Sequence, residues 1–282
     1  MSPPTQRLLI VSGKGGVGKS AVAAALAASA HRAGRSVLAI DVAGSGGLAA
    51  HFGIGSLAFA PRELRPGLHA MSIDRSKALI EYLQVQAGLP GILTLAPAAR
   101  AFDALAGAAP GVREIVTLGK VLWETRSRRY DLVVADCLPT GQVTGLLRAP
   151  STIAELVPTG RIRQQAEWMS DLLLDPVATQ LVLVTLAEEL PVVETEETLA
   201  YLLDEKLVGN HQIVANRVLP ELRTAAAGSG EVAEAAALHR ALYGEQQQWL
   251  ERLPPDRTLP YLFGLLTPGE VAARLADSWA GP

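Results

Sequence analysis

The run Gly13-Lys14-Gly15-Gly16-Val17-Gly18-Lys19-Ser20 holds the densest chemistry in the chain. It follows the apolar stretch Leu8–Ser12 and precedes the alanine-rich Ser20–Ala33, and strand-then-helix is the setting that a phosphate loop requires. Glycines let such a loop curl so that the N–H groups of Gly13, Gly15, Gly16, Val17, Gly18, Ser20 and Ala21 turn inward toward phosphate oxygens. The helix that follows adds unpaired amides and the positive end of its dipole. Lys19 is placed to bridge β- and γ-phosphates, and the Ser20 hydroxyl to ligate Mg²⁺. The expected cofactors are therefore ATP or ADP with Mg²⁺.

Two carboxylates sit where they can serve that loop. Asp136 ends the apolar run DLVVAD, and a carboxylate at a strand's carboxyl end can reach Mg²⁺ directly or through water. The residues after it, DCLPTGQVTGLL, include Pro139, Thr140 and Gly141, which suit a loop that reports the γ-phosphate by changing conformation. Asp41 ends the run SVLAID ahead of the glycine-rich VAGSGG. It either orients and deprotonates the attacking water or only caps the turn that follows. Residue types alone leave both open.

Positioning these groups takes alternating strands and helices. Apolar runs at Leu8–Ser12, Val37–Asp41, His69–Ile73, Leu132–Asp136, Leu181–Leu186, Gln212–Asn216 and Thr258–Phe263 read as strands, several of them covered on both faces. Ser20–Ala33, Pro191–Lys206, Glu231–Leu253 and Pro268–Trp279 read as helices. The pattern predicts an α/β fold with a mostly parallel sheet and helices on both faces. In Glu231–Leu253, the stripe Ala235, Leu238, Leu242, Trp249 and Leu253 is expected to pack into the core. Arg75–Arg129 interrupts the alternation as a helical insertion, broken at Pro90-Gly91, Pro97 and Pro110-Gly111. Its Leu79, Tyr82, Leu83 and Val85 would cover a surface or form a groove. Thr152–Leu174 is also helix-like and would join that subdomain. With no repeat and no long linker, residues 1–282 are expected to form one domain.

Composition excludes several classes. The chain has 282 residues, 49% of them hydrophobic and 19% charged, which is too apolar for a disordered chain. No apolar run reaches the ~18–20 residues that cross a bilayer, and the amino-terminal MSPPTQR lacks the features of a secretion signal. A cytoplasmic protein is expected, peripheral to a membrane only through a partner. A net charge of −3 gives no reason to expect nucleic acid as a partner. Cys137 is the single cysteine, so neither an intrachain disulfide nor a four-cysteine metal site is available.

Lys14 narrows the class. A second lysine directly after the first glycine resembles the deviant phosphate loop of the SIMIBI-class ATPases, in which this lysine reaches across a dimer to the partner's nucleotide. Further along, DCLPTGQVTGLLRAP, TLAEELPVVETEETL and VANRVLP follow GKGGVGKS in the order seen in the anion-transporting, ArsA-type ATPase family. The resemblance runs from about Leu8 to Asp277. It implies that Asp41 is the first-switch aspartate and Asp136 the metal-proximal one. It also implies that Asn216, beside Arg217, hydrogen-bonds adenine, and that Pro260–Thr267, with Pro260 and Leu262, covers the base.

The departures bear on function. An arsenite pump needs clustered thiolates, which one cysteine does not provide. The family's targeting factor for tail-anchored membrane proteins uses a CxxC pair and a methionine-rich groove, and here CxxC is missing and Met71 and Met169 are the only internal methionines. The usual DPA-x-x-L of the first switch reads Asp41-Val42-Ala43-Gly44-Ser45-Gly46-Gly47-Leu48, and Gln142 stands where the second switch often has histidine. These changes resemble the divergent subunit of an actinobacterial-type pair of paralogous ATPases. The resemblance therefore implies an Mg-ATP-hydrolysing dimeric switch, with Lys14, Lys19, Asp41 and Asp136 as its catalytic set. The alternatives are a weakly hydrolysing or non-hydrolysing regulatory subunit paired with a paralogous ATPase, and a client-escort or membrane-protein targeting factor. Whether the partner is a second copy or a paralogue stays open.

Overall fold

Aliphatic runs that alternate between two buried faces build the sheet. The computed structural model describes residues 5–82, 111–222 and 230–280. Its strands are β1 (Leu8–Gly13), β2 (Val37–Asp41), β3 (Arg62–Arg65), β4 (Leu68–Ser72), β5 (Leu132–Asp136), β6 (Thr179–Leu186), β7 (His211–Val218) and β8 (Arg257–Pro260). They form one eight-stranded sheet in the order β3-β4-β2-β5-β1-β6-β7-β8, parallel throughout except for β3 on β4. In the central strand β1, Leu8 and Ile10 enter one core and Leu9 and Val11 the other, as the period of a strand requires. The α/β architecture expected from the pattern is the one observed.

Helices cover both faces. They are α1 (Lys19–Arg32), α2 (Gly47–His51), α3 (Arg75–Glu81), α4 (Val112–Arg126), α5 (Thr140–Leu156), α6 (Arg161–Leu174), α7 (Glu189–Asp204), α8 (Glu231–Arg252) and α9 (Pro268–Ala280). On one face the alanines of α1 from Ala21 to Ala27 are buried against the sheet together with Leu275, Ala276 and Trp279 of α9. Side chains this small let the helix that begins at the phosphate loop lie close to the strands. On the other face Leu118 and Leu122 of α4, Leu146 of α5 and Met169 of α6 complete the core.

Several expectations change in detail. The helix-like stretch Thr152–Leu174 is two helices, α5 and α6, separated by Val157–Gly160, where Gly160 adopts φ +101°. The strand expected over Thr258–Phe263 ends at Pro260, and the charged four-residue β3 and the short α2 add two elements without a periodic signal. Leu79 of α3 is buried in the core and Tyr82 is half-buried, whereas Leu83, Val85 and residues 83–110 as a whole lie outside the described residues. Among the described residues no helix is long and apolar enough to cross a membrane.

One packing expectation is wrong. No residue of α8 is buried, and Leu238 and Leu242 are 62% and 46% exposed. The stripe has helical spacing, but α8 lies over the end of β7 and not over the sheet's face. Ala235, Leu238 and Leu242 therefore form a wall of an open groove with Ala187, Leu219 and Phe263.

Candidate functional site

The loop between β1 and α1 is shaped by two glycines whose positive φ and close neighbours leave a Cβ strained. Gly13 has φ +150°, and a Cβ there would lie 2.0 Å from the Val184 carbonyl oxygen of the neighbouring strand. Gly18 has φ +94°, and its Cβ would lie 2.5 Å from Asn216 Nδ2. Asn216 Nδ2 in turn donates to the Val17 carbonyl at 2.9 Å, so the end of β7 is strapped to the loop. Asn216 Oδ1 accepts from the N–H of Arg217, which holds a left-handed φ of +56°. No side chain caps the first turn of α1, so those amides stay available to an anion.

Above the loop lies a cavity of about 530 Å³, of the size that takes a small organic ligand. Gly16, Gly18, Lys19, Ser20 and Ala21 form its polar end. Arg217, Pro260, Tyr261, Leu262 and Leu266 form a largely apolar wall, and Asn216 lines it as well. The cavity thus joins the phosphate loop to the two distant segments singled out for the base. Lys14, Asp41 and Asp136 are not among its lining residues. Gly47, His51 and Tyr261 are; Tyr261 lies within the Pro260–Thr267 segment expected to cover the base, and the sequence reading assigned no site role to Gly47 or His51.

Lys19 is half-buried, and burial holds its ammonium below the usual lysine range while Asp136 and Glu194 pull the other way. Its Nζ donates to the Lys14 carbonyl at 3.1 Å. Beside it, the Asp136 carboxyl is pushed up to about 6 by burial, with the nearby Ser20 hydroxyl and Lys19 opposing the rise and Asp41 adding to it. Asp41 and Asp136 occupy paired positions on β2 and β5, which explains that repulsion. A hydroxyl and a carboxylate next to a phosphate-sized loop are a hard oxygen donor set that fits Mg²⁺, which takes few protein ligands and completes its shell with phosphate and water.

Asp41 is 1% exposed and already engaged. Its Oδ1 accepts from Gly44 N at 2.8 Å, and its Oδ2 from Gly46 N at 3.0 Å. The loop it caps carries Gly47 onto Ser20, where a Cβ on Gly47 would lie 2.7 Å from the Ser20 hydroxyl oxygen. Glycine at this point lets the loop after Asp41 rest directly on the candidate metal ligand.

Titration of Asp136 has a measurable consequence. A carboxyl raised from 3.8 to about 6 binds its proton more tightly in the folded chain. Its contribution to stability is complete below about pH 4 and is lost as pH rises through 6, roughly 3 kcal/mol at 1.36 kcal/mol per pKa unit. In chelator and without nucleotide, Asp136→Asn should therefore be more stable than wild type at pH 7.5 by up to that amount. Chemical denaturation should show the gap closing toward pH 4. A constant gap across that range would mean that Asp136 is not strained by burial.

Lys14 does not line the cavity. Its ammonium pairs with Glu194 of α7, whose other carboxylate oxygen accepts from the Thr140 hydroxyl at the start of α5. Burial raises the Glu194 carboxyl, but hydrogen bonds from Lys14 and Thr140 and the charges of Lys14 and Lys19 outweigh it and hold it below the usual range. Glu194 lies within ETEE, an acidic helical run whose residue types do not reveal which carboxylate turns inward.

The sequence pattern of the family described as anion-transporting ATPase matches residues 6–166 and 160–236, most of the chain. The chain belongs to that family. It is 34% identical over 231 residues to ATPase BagA of Mycobacterium tuberculosis and to a putative ATPase of Mycobacterium bovis, covering 76% of this chain and 66% of each relative. It thus spans just under two thirds of those relatives' length. An arsenical pump-driving ATPase of Acidiphilium multivorum is 29% identical over 267 residues, 87% of this chain and 44% of the relative. An ATPase GET3 of Mycosarcoma maydis is 27% identical, covering 76% and 73%. The family pattern extends over the phosphate loop, Asp41, Asp136, Glu194 and Asn216, but not over Pro260–Leu262.

Proposed function

We propose that this chain is an Mg-ATP-hydrolysing switch that closes as a dimer around nucleotide and reopens after hydrolysis. The observation that carries the reading is the single cavity in which the loop amides, Lys19 and Ser20 meet Asn216, Arg217, Pro260 and Leu262. Amides of the loop and of α1 take the phosphates, Lys19 adds a positive charge at their far end, and Pro260 and Leu262 cover the base. Bound Mg²⁺ would neutralise phosphate charge from Ser20 and the side of Asp136. Lys14 would complete the partner's site, where a cation delivered only on closure stabilises charge on the transferring phosphoryl group. Asp41, freed from the Gly44 and Gly46 amides, would hold the attacking water. Family membership and a cavity that joins the phosphate loop to an apolar wall support a nucleotide such as ATP over a bare phosphate ligand.

A second reading has its own observation. Asp41 is fully occupied as a loop cap, in a loop that lacks the proline of the usual family pattern and carries Gly44, Gly46 and Gly47 instead. A chain that keeps it there holds nucleotide without turning it over and regulates a paralogous ATPase.

Calorimetric titration of Mg-ATP into the full chain, paired with sedimentation velocity, tests the core of both. The expected result is one nucleotide per chain and a shift to dimer that Mg-ADP produces less strongly. Folded protein that takes up no Mg-nucleotide would overturn both readings. Uptake without association, in the presence of a paralogue as well, would remove the shared site.

A further inference from the structure

Three observations converge on Lys14. The first is where its charge goes. In the single chain the ammonium is drawn to Glu194 on α7 and not to the nucleotide cavity. The second is what else Glu194 holds. Its second oxygen accepts from Thr140, a fully buried residue that opens α5 just beyond Asp136. One carboxylate thus joins the phosphate loop to the segment expected to sense the γ-phosphate. The third is a tie to the nucleotide itself. Lys19 Nζ donates to the Lys14 main-chain carbonyl, and the Lys19 charge also favours ionised Glu194.

A triphosphate entering the cavity would act on all of these at once. Its oxygens compete with the Lys14 carbonyl for Lys19 Nζ, which unties the Lys14 backbone. Its negative charge offsets the Lys19 field that stabilises the Glu194 carboxylate. Any movement of Thr140 takes a neutral donor from the same carboxylate. Each change weakens the grip on Lys14 while the partly exposed ion pair stays accessible to a competing anion.

We propose that Glu194 is a positioning residue that keeps Lys14 folded inward in the nucleotide-free chain, and that occupation of the phosphate loop releases it toward a partner. This rests on the dimeric ATPase reading above. Glu194 then sets the nucleotide threshold for association. Without it Lys14 would be free at all times, and closure would depend less on which nucleotide is bound.

The test compares wild type with Glu194→Gln, which keeps shape and the Thr140 contact but removes the charge, and with Glu194→Asp, too short to span Lys14 and Thr140 together. Amine-directed labelling of the nucleotide-free full chain, read at Lys14 by mass spectrometry, should proceed three- to tenfold faster in both variants. Labelling at Lys206, far from this cluster, should be unchanged and reports intact folding. In sedimentation with a non-hydrolysable Mg-ATP analogue, Glu194→Gln should reach half-dimer at a three- to tenfold lower protein concentration. Equal Lys14 labelling in all three proteins would overturn the proposal, as would faster labelling with no gain in dimer. If wild type binds the analogue but never associates, the dimer reading itself fails, and the nucleotide-free labelling still decides whether Glu194 holds Lys14.

Discussion

Lys19→Ala should lower affinity for Mg-ATP at least a hundredfold and leave hydrolysis below detection. The ammonium is the only side-chain cation among the loop residues that line the cavity. Hydrogen bonds to charged groups are worth about 1.5–3 kcal/mol each, so losing contacts to two phosphates amounts to two to four powers of ten. Stability should move little. Burial already holds the Lys19 ammonium below its ordinary range, and that cost offsets what the substitution removes from the free chain: one hydrogen bond to the Lys14 carbonyl, worth about 1 kcal/mol, and the attraction of Asp136 and Glu194. A group that is costly in the empty protein and valuable in the loaded one marks a binding site. Calorimetry for affinity and denaturation for stability, run on the same preparation, should separate the two effects. Unchanged affinity would mean that the cavity's polar end does not receive the phosphates.

The sheet was largely legible because burial on two faces writes itself into sequence as unbroken aliphatic runs. Val37–Asp41 and Leu132–Asp136 have the same ends in the structure as in the reading. β3 was not legible, since Arg62–Arg65 is mostly exposed, charged, and held to the edge by β4 alone. Nor was the fate of the α8 stripe. Helical spacing of Leu238 and Leu242 shows that one face is apolar, not that anything covers it.

At the site, motif spacing singled out the loop and the strand-end carboxylates, which the fold brings near one another, because both depend on local backbone geometry. Glu194 and Gly47 depend on long-range placement. The Glu194 contact bridges residues 180 positions apart, and Gly47 matters only because α2 folds back over Ser20. No spacing rule announces such pairs. The two roles left open for Asp41 are now distinguishable in kind: the structure shows the cap, and the water-holding role requires the loop to open.

That requirement gives the second large effect. Asp41→Asn should cut single-turnover hydrolysis by about two to four powers of ten if Asp41 holds the attacking water. Mg-ATP affinity should stay within about threefold or improve. The reason lies in the loop. Asparagine replaces one acceptor oxygen with a donor that faces the N–H of Gly44 or Gly46, so the cap loses about 1 kcal/mol and Gly47 leaves Ser20 more readily. Removing the Asp41 charge also relieves the repulsion that raises Asp136. Both changes favour the loaded state even as they disable the chemistry. In the regulatory-subunit reading wild type shows no turnover for the substitution to reduce, and only the affinity change remains. Rapid-quench measurement of one bound nucleotide, with any paralogue's own site disabled, therefore separates the enzyme from the binding module in one comparison. A wild-type rate that survives Asp41→Asn would assign the water to another group and leave Asp41 as the loop cap seen in the structure.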